Sequence, residues 1–224
     1  MVMISAHSGG GERARPGSLA AYQAVVSSGA EYAEFDVRRA DDGTLLAQHS
    51  APAQHPDGSP ALAAAEVMRV LADGGVRGHV DLKGVGFERE AVELALASLG
   101  PDGFVVTTAD PEAVTVIGAE FPAVPVGLSV GFGPASITRD LRRLRWPLSF
   151  PLAAVRASGA DWVAMNYRYA RPDVLDRCVA AGLRIMVWTV NDDRRLTRFL
   201  ADPRVAVVVT DRPEHAVALR ARQA

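Results

Sequence analysis

Cysteine is almost missing from this chain: Cys178 is the one thiol in 224 residues. A lone cysteine excludes an internal disulfide and suggests a reducing compartment, the cytoplasm. No apolar run approaches the ~20 residues that a membrane-spanning helix needs. The N-terminus enters an apolar strand at once and has no basic segment followed by a hydrophobic one, so no secretory signal is expected. Neither charge sign dominates. The net charge is −2, which gives no bulk attraction to nucleic acid. The basic run from Arg139 to Arg145 reads as one solvated helix face. What remains is ordinary for a globular protein, with 49% hydrophobic and 22% charged residues and enough length for one sizeable core.

Short apolar runs alternate with amphipathic ones along the whole chain. Strands are expected at Val2–Ala6, Glu31–Val37, His79–Lys83, Phe104–Thr108, Val124–Val130, Trp162–Met165, Arg184–Trp188 and Val205–Val209. Asp41-Asp42-Gly43 reads as a hairpin turn leading into a short return strand, Leu45–Gln48. Helices are expected between the strands. Ser18 is a candidate N-cap, with Gly29 as the stop of that helix. Further helices are expected at 61–73, 88–99, 137–145 and about 150–158. Asp110-Pro111 opens another, Pro172–Ala181 is followed by Gly182, Asn191 or Asp192 caps the next, and Pro213 begins the last. Eight strands alternating with helices argue for a parallel sheet, and the length suits a closed (β/α)₈ TIM barrel. An open doubly wound sheet would carry a Gly-rich phosphate loop leading straight into a helix after strand one. Ser8–Gly11 is a poor candidate, because no helix starts directly after it.

The stretch Glu31–Val37 organises the polar residues. Side chains alternate along a strand, so Glu34 and Asp36 share a face. Two carboxylates side by side need a cation or a basic partner. In a barrel, polar residues at the C-terminal strand ends read as catalytic. His7, His49, Asp81, Lys83, Trp188 and Thr210-Asp211 all fall at such ends. Three carboxylates suit one divalent cation, Mg²⁺ or Ca²⁺. A lysine beside it suits an anion, and two histidines suit acid and base roles near neutral pH. Together they point to metal-assisted phosphoryl chemistry, with Trp188 as an apolar wall. Other residues read as structural. His79 is expected to be a hydrogen-bonded core histidine, His55 and His215 surface residues, and Met165 and Met186 core filler. Asp211 reads equally as a site residue and as the cap of the last helix.

With these residues laid out, the chain resembles the glycerophosphodiester phosphodiesterase family over nearly its whole length. His7-Ser8-Gly9 stands where the family has His-Arg-Gly. Gly29-Ala30 through Glu34-Phe35-Asp36-Val37 matches Gly-Ala-x-x-x-Glu-x-Asp-Val. Asp42-Gly43 with His49, Asp81-Leu82-Lys83, Trp188–Asn191 and Thr210–Pro213 follow in the family's order. The resemblance implies one TIM-barrel domain over 1–224, with the family's insertion reduced to a short piece at about 50–75. It implies that Glu34, Asp36 and Asp81 hold the metal and that His7 and His49 are the acid/base pair. Lys83 would contact phosphate, and Trp188 the glycerol side. The implied reaction is hydrolysis of a small glycerophosphodiester to glycerol 3-phosphate and an alcohol.

The chain departs from the family's pattern. Ser8 replaces the phosphate-binding Arg, Gly17-Ser18 replaces Glu-Asn, and Ser50 follows His49. Only 31 residues separate His49 from Asp81. Arg13 or Arg15, in the Gly-rich loop after His7, is expected to replace the missing arginine. Two other functions stay open. One is a lysophospholipase D or sphingomyelinase D-like activity on lipid phosphodiesters, for which Ala51-Pro52, Phe132 and Trp146 are hints of an apolar rim. The other is a barrel that binds a phosphorylated ligand without turnover.

Overall fold

Short apolar runs alternating with amphipathic segments form the strands and helices of a closed barrel. A computed structural model of the chain describes residues 1–49, 61–131 and 150–223. The strands are β1 (Met3–Ala6), β2 (Tyr32–Arg39), β3 (Leu45–Ala47), β4 (Leu62–Ala63), β5 (Arg77–Leu82), β6 (Phe104–Thr108), β7 (Val126–Val130), β8 (Trp162–Asn166), β9 (Arg184–Trp188) and β10 (Val205–Thr210). Among the described residues, eight of them pair in parallel in the order β1-β10-β9-β8-β7-β6-β5-β2. The β1–β2 pairing, Ser5 with Tyr32 and Ala6 with Ala33, closes the ring. This is a (β/α)₈ barrel, as the strand count implied. β3 and β4 add an antiparallel extension alongside the mouth end of β2, where β3 pairs with Val37–Arg39.

The helices are α1 (Leu19–Val25), α2 (Ala64–Asp73), α3 (Glu88–Leu99), α4 (Pro111–Glu120), α5 (Leu152–Ala157), α6 (Pro172–Ala180), α7 (Asp193–Leu200) and α8 (Pro213–Ala221). Three caps act as read from the sequence. Ser18 accepts from the Ala21 N–H, Asp110 from Glu112 and Ala113, and Asp192 from Arg195. Two helix boundaries differ from expectation by three residues or more. α1 stops at Val25 and not at Gly29, because the Ser27 and Ser28 hydroxyls take the Ala24 and Val25 carbonyls and turn the chain away. The helix expected from 61 begins at Ala64, because Leu62–Ala63 first pairs with Leu46–Ala47. The expected helix 137–145, the Arg139–Arg145 run, residues 50–60 with His55, and the rim candidates Phe132 and Trp146 lie outside the described residues. No described helix is long and apolar enough to cross a membrane.

The barrel has two apolar regions. One lies between sheet and helices and includes Ile4, Phe35, Val80, Leu71, Ile117, Leu175 and Phe199. The other fills the interior with Tyr32, Val105, Trp162, Ala164, Met186, Val207 and Val209. Arg77 stacks on Tyr32 at 4.1 Å and Arg184 on Trp162 at 3.9 Å, where their charges meet the ring faces. These residues sit near the N-terminal ends of their strands. The inward positions therefore run from an apolar, aromatic floor to polar side chains at the C-terminal mouth.

Candidate active site

β2 and β5 pair with Glu34 opposite His79 and Asp36 opposite Asp81. Strand alternation carries all four side chains inward. Ligand oxygens of Glu34, Asp36 and Asp81 lie within 4.8 Å of one another. Burial and the charge of Asp36 raise the Glu34 pKa to about 8, despite the opposing pull of His7 and the Ser8 N–H. Burial likewise raises Asp81, with Lys83 opposing and Asp36 reinforcing. Burial works against charge on Asp36 too, but the His49 hydrogen bond and Lys83 outweigh it and hold its pKa low. Three carboxylates this close resist simultaneous ionisation, and a divalent cation relieves that repulsion. All three are hard oxygen donors, so the set fits Mg²⁺ or Ca²⁺.

Lys83 lies one residue beyond β5. Its Nζ donates to Asp81 Oδ2 at 2.5 Å and sits 3.0 Å from Asp36 Oδ1. It is the only lysine in the sequence. The two carboxylates raise its pKa against the effect of burial.

Two histidines flank the carboxylates. His7 opens a single 3₁₀ turn, His7–Gly9, directly after β1. Its Nδ1 is 2.6 Å from Asp211 Oδ1, and its Nε2 is 4.0 Å from Glu34 Oε2. Burial lowers the His7 pKa, but the Asp211 hydrogen bond and the charges of Glu34, Asp211 and Asp36 carry it up to about 9. His49 follows β3, with its Nδ1 2.9 Å from Asp36 Oδ2. Each imidazole is thus anchored through Nδ1 to a different carboxylate, which fixes the ring.

Local backbone shapes this corner. Ser8 adopts a left-handed conformation, φ 48°, and its N–H donates to Glu34 Oε2 at 2.8 Å. Gly9 has φ 79°, and a Cβ there would meet the α1 backbone at 3.0 Å. Across the mouth, a Cβ on Gly131 would come within 2.5 Å of the Trp188 ring, so glycine is what lets the indole lie there. The Trp188–Thr189 peptide is cis. The Trp188 Nε1–H is buried with no partner among the described residues. A cavity of about 170 Å³ is lined by His7, His49, the three carboxylates, Lys83 and Trp188.

His79 is the core histidine that its position implied. Burial, Lys83 and His7 lower its pKa to about 3, so the ring is neutral. Thr107 Oγ1 donates to Asp81 Oδ1 at 3.0 Å. The hydroxyl proton is then committed, so His79 Nε2–H donates to Thr107 Oγ1 at 3.0 Å. His79 Nδ1 is left to accept from the Ser5 hydroxyl at 3.3 Å. A one-directional chain, Ser5 to His79 to Thr107 to Asp81, runs beneath the carboxylates.

The structure brings His7, Glu34, Asp36, His49, Asp81, Lys83 and Trp188 to one cavity. It leaves Arg13 and Arg15 off that cavity's lining. Arg13 pairs with Glu214 and contacts Ser27, on the α8 side of the loop. Arg15 is exposed, and its carbonyl accepts from the Ser18 hydroxyl. Asp211 does not cap α8. That helix has Arg212 at its N-cap position with no side-chain cap. The Asp211 carboxylate turns instead to His7 and, through Oδ2, to Asn191 Nδ2 at 2.5 Å. Asn191 in turn accepts from the Asp211 N–H and the Thr210 hydroxyl. His215 is at the surface, against Asp193. Sequence reasoning read Asn191 only as a possible helix cap, a place that Asp192 takes, and assigned no role to Thr107 or Ser5. Period-two counting inward from His7 and Asp81 would have pointed to Ser5, but no local signal marks the other two.

No family model matches the sequence, and neither does any curated protein. Solved structures do share the fold. A glycerophosphodiester phosphodiesterase from Parabacteroides distasonis superimposes with a TM-score of 0.78 at 18% identity, over 100% of this chain and 98% of that one. A phosphodiesterase from Oleispira antarctica, in complex with the product sn-glycerol-3-phosphate, gives 0.77 at 16% identity, over 97% and 96%. A glycerophosphodiester phosphodiesterase from Thermotoga maritima gives 0.72 at 17% identity, over 98% and 99%. At these identities the shared property is the barrel and its connectivity, end to end.

Proposed function

We propose that this chain is a metal-dependent phosphodiesterase that converts small glycerophosphodiesters to glycerol 3-phosphate and an alcohol. One observation carries the reading. Three buried carboxylates and a lysine lie between two histidines at the mouth of the barrel, and each histidine is anchored to its own carboxylate. The full-length likeness to phosphodiesterase barrels supports it, and the product in the Oleispira complex suggests the product here.

Glu34, Asp36 and Asp81 would hold one Mg²⁺ or Ca²⁺. When bound, the cation supplies positive charge that polarises the phosphate. The chain's own groups do the rest. One imidazole takes the proton of the nucleophile, which is water or the adjacent substrate hydroxyl. The other gives a proton to the leaving alkoxide. Asp211 and Asp36 keep the two rings oriented. Lys83 stands at the cavity wall as a point charge for the phosphate, and Trp188 offers a flat apolar surface to the glycerol. The cytoplasm suits a protein whose one cysteine is buried and unpaired.

A panel of glycerophosphodiesters and lysophospholipids, with Mg²⁺, Ca²⁺ or EDTA and products read by phosphorus NMR, tests this. Metal-dependent release of glycerol 3-phosphate is expected, with His49→Ala slower by about 10²-fold or more. Turnover confined to the lipids would move the assignment to a lysophospholipase D. Binding of phospho-ligands with no turnover of any substrate would refute the enzyme reading.

A further inference from the structure

The inference rests on the phosphodiesterase reading and concerns the side chain that grips the phosphate. A phosphodiester arrives as an anion at a site crowded with carboxylates. Lys83 already lies within hydrogen-bond distance of Asp36 and Asp81, so most of its charge is neutralised. Arg13 is turned to Glu214.

β2 itself carries another cation. Its period of two puts Glu34, Asp36 and then Arg38 on the inner face. The next residue, Arg39, takes the outer face and pairs with Glu90 of α3. Because Asp36 stands opposite Asp81, the next inward pair toward the mouth is Arg38 and Lys83, about 6.6 Å further along the strands. Arg38 is half-buried and held at one point, where its Nε donates to the His49 carbonyl at 2.6 Å. No described residue takes its two Nη groups. His49 is itself tied to Asp36, so the guanidinium is fastened to the loop that carries the candidate acid/base. Arg38 is off the lining of the catalytic cavity itself, but with Lys83 it lines an open groove of about 620 Å³ that meets that cavity at Lys83.

We propose that Arg38 is the phosphate-gripping residue of this barrel. The contact through Nε fixes the plane of the fork, and the two Nη groups meet two phosphate oxygens end on. Lys83, shared with Asp36 and Asp81, then makes the weaker of the two phosphate contacts. Arg38 supplies the positive charge that replaces the arginine expected at position 8.

The alternative role for Arg38 is to fasten the His49 loop, and the two roles separate by measurement. Arg38→Met keeps the aliphatic stem, and Arg38→Gln keeps a polar tip. Each is titrated with inorganic phosphate and with sn-glycerol 3-phosphate in saturating Mg²⁺ or Ca²⁺, and each is assayed for kcat and KM. The expected result is anion binding weaker by roughly 10- to 100-fold, KM raised in parallel, and metal affinity unchanged, which also certifies the fold. Added guanidinium should restore part of the loss. Unchanged anion affinity with a lowered kcat would overturn the proposal and leave Arg38 as a fastener. Wild-type kinetics in both variants, on a protein that does turn over glycerophosphodiesters, would overturn the proposal alone. A wild-type protein that binds neither anion and turns over no phosphodiester would remove the functional reading and this inference with it.

Discussion

Replacing Thr107 with valine exchanges one hydroxyl for a methyl group of nearly the same size. Thr107 is 1% exposed and His79 4%, so water cannot replace what is lost. The substitution strands the His79 Nε2–H and removes a donor from Asp81 Oδ1. A buried polar group left without its partner costs about 1–3 kcal/mol. For a domain of this size each kcal/mol lowers Tm by about 2–4 °C, so the metal-free protein should melt roughly 2–12 °C lower. Asp81, as a proposed ligand of the cation, also loses the contact that fixes its orientation. Loss of such an outer partner weakens metal binding by about 10- to 100-fold. Thermal unfolding in EDTA and calorimetric titration with Mg²⁺ and Ca²⁺ measure the two effects separately. Thr107→Ser, which retains the hydroxyl, should stay near wild type in both. A Thr107→Val protein with wild-type Tm and wild-type metal affinity would refute the hydrogen-bond chain as the support of Asp81.

Asp211→Asn removes the carboxylate that anchors His7. It should lower kcat by about 10²- to 10⁴-fold with metal affinity unchanged by calorimetry; a fall in metal affinity instead would place Asp211 among the structural supports of the cation. EDTA should abolish turnover and added Mg²⁺ or Ca²⁺ restore it, and Asp81→Asn should shift the metal requirement to higher concentration; activity that survives exhaustive chelation would exclude the cation. Cys178 is fully buried, and burial pushes its thiol pKa up to about 11 against the opposing charge of Arg177. A disulfide-exchange reagent at pH 7 should therefore titrate no thiol in the native protein and one in denaturant; rapid native labelling would mean that α6 opens readily.

The barrel was legible because parallel strands buried on both faces leave short, nearly continuous apolar runs, as in Phe104–Val106 or Val205–Val209. The carboxylates were legible because two of them sit at period two on one strand and the third shares a strand with the lysine. Asp211 was harder to read. An acidic residue just before Arg-Pro at a helix start looks like a cap, and its true partner, His7, is 204 positions away. No local pattern reports a contact closed by the meeting of the first and last strands. Arg13 looked available because it follows His7 so closely, but Glu214 on the last helix draws it outward. The early end of α1 was missed for a simpler reason. Ser27 and Ser28 compete for the helix carbonyls before Gly29 is reached.

The alignment of β2 with β5 has a consequence for how the molecule reaches its folded state. Asp36 meets Asp81 only because the two strands zip in one frame. A slip of a single residue would turn Asp81 into the wall beneath the helices and Leu82 into the mouth. Such a barrel could still bury much of its surface, but it would lack the proposed cation site. A ligand at 100 times its Kd adds about 2.7 kcal/mol to the one state that binds it. In a metal-rich solution that increment falls on the correct frame alone, so the ion would act as a proofreader of strand alignment before any substrate arrives.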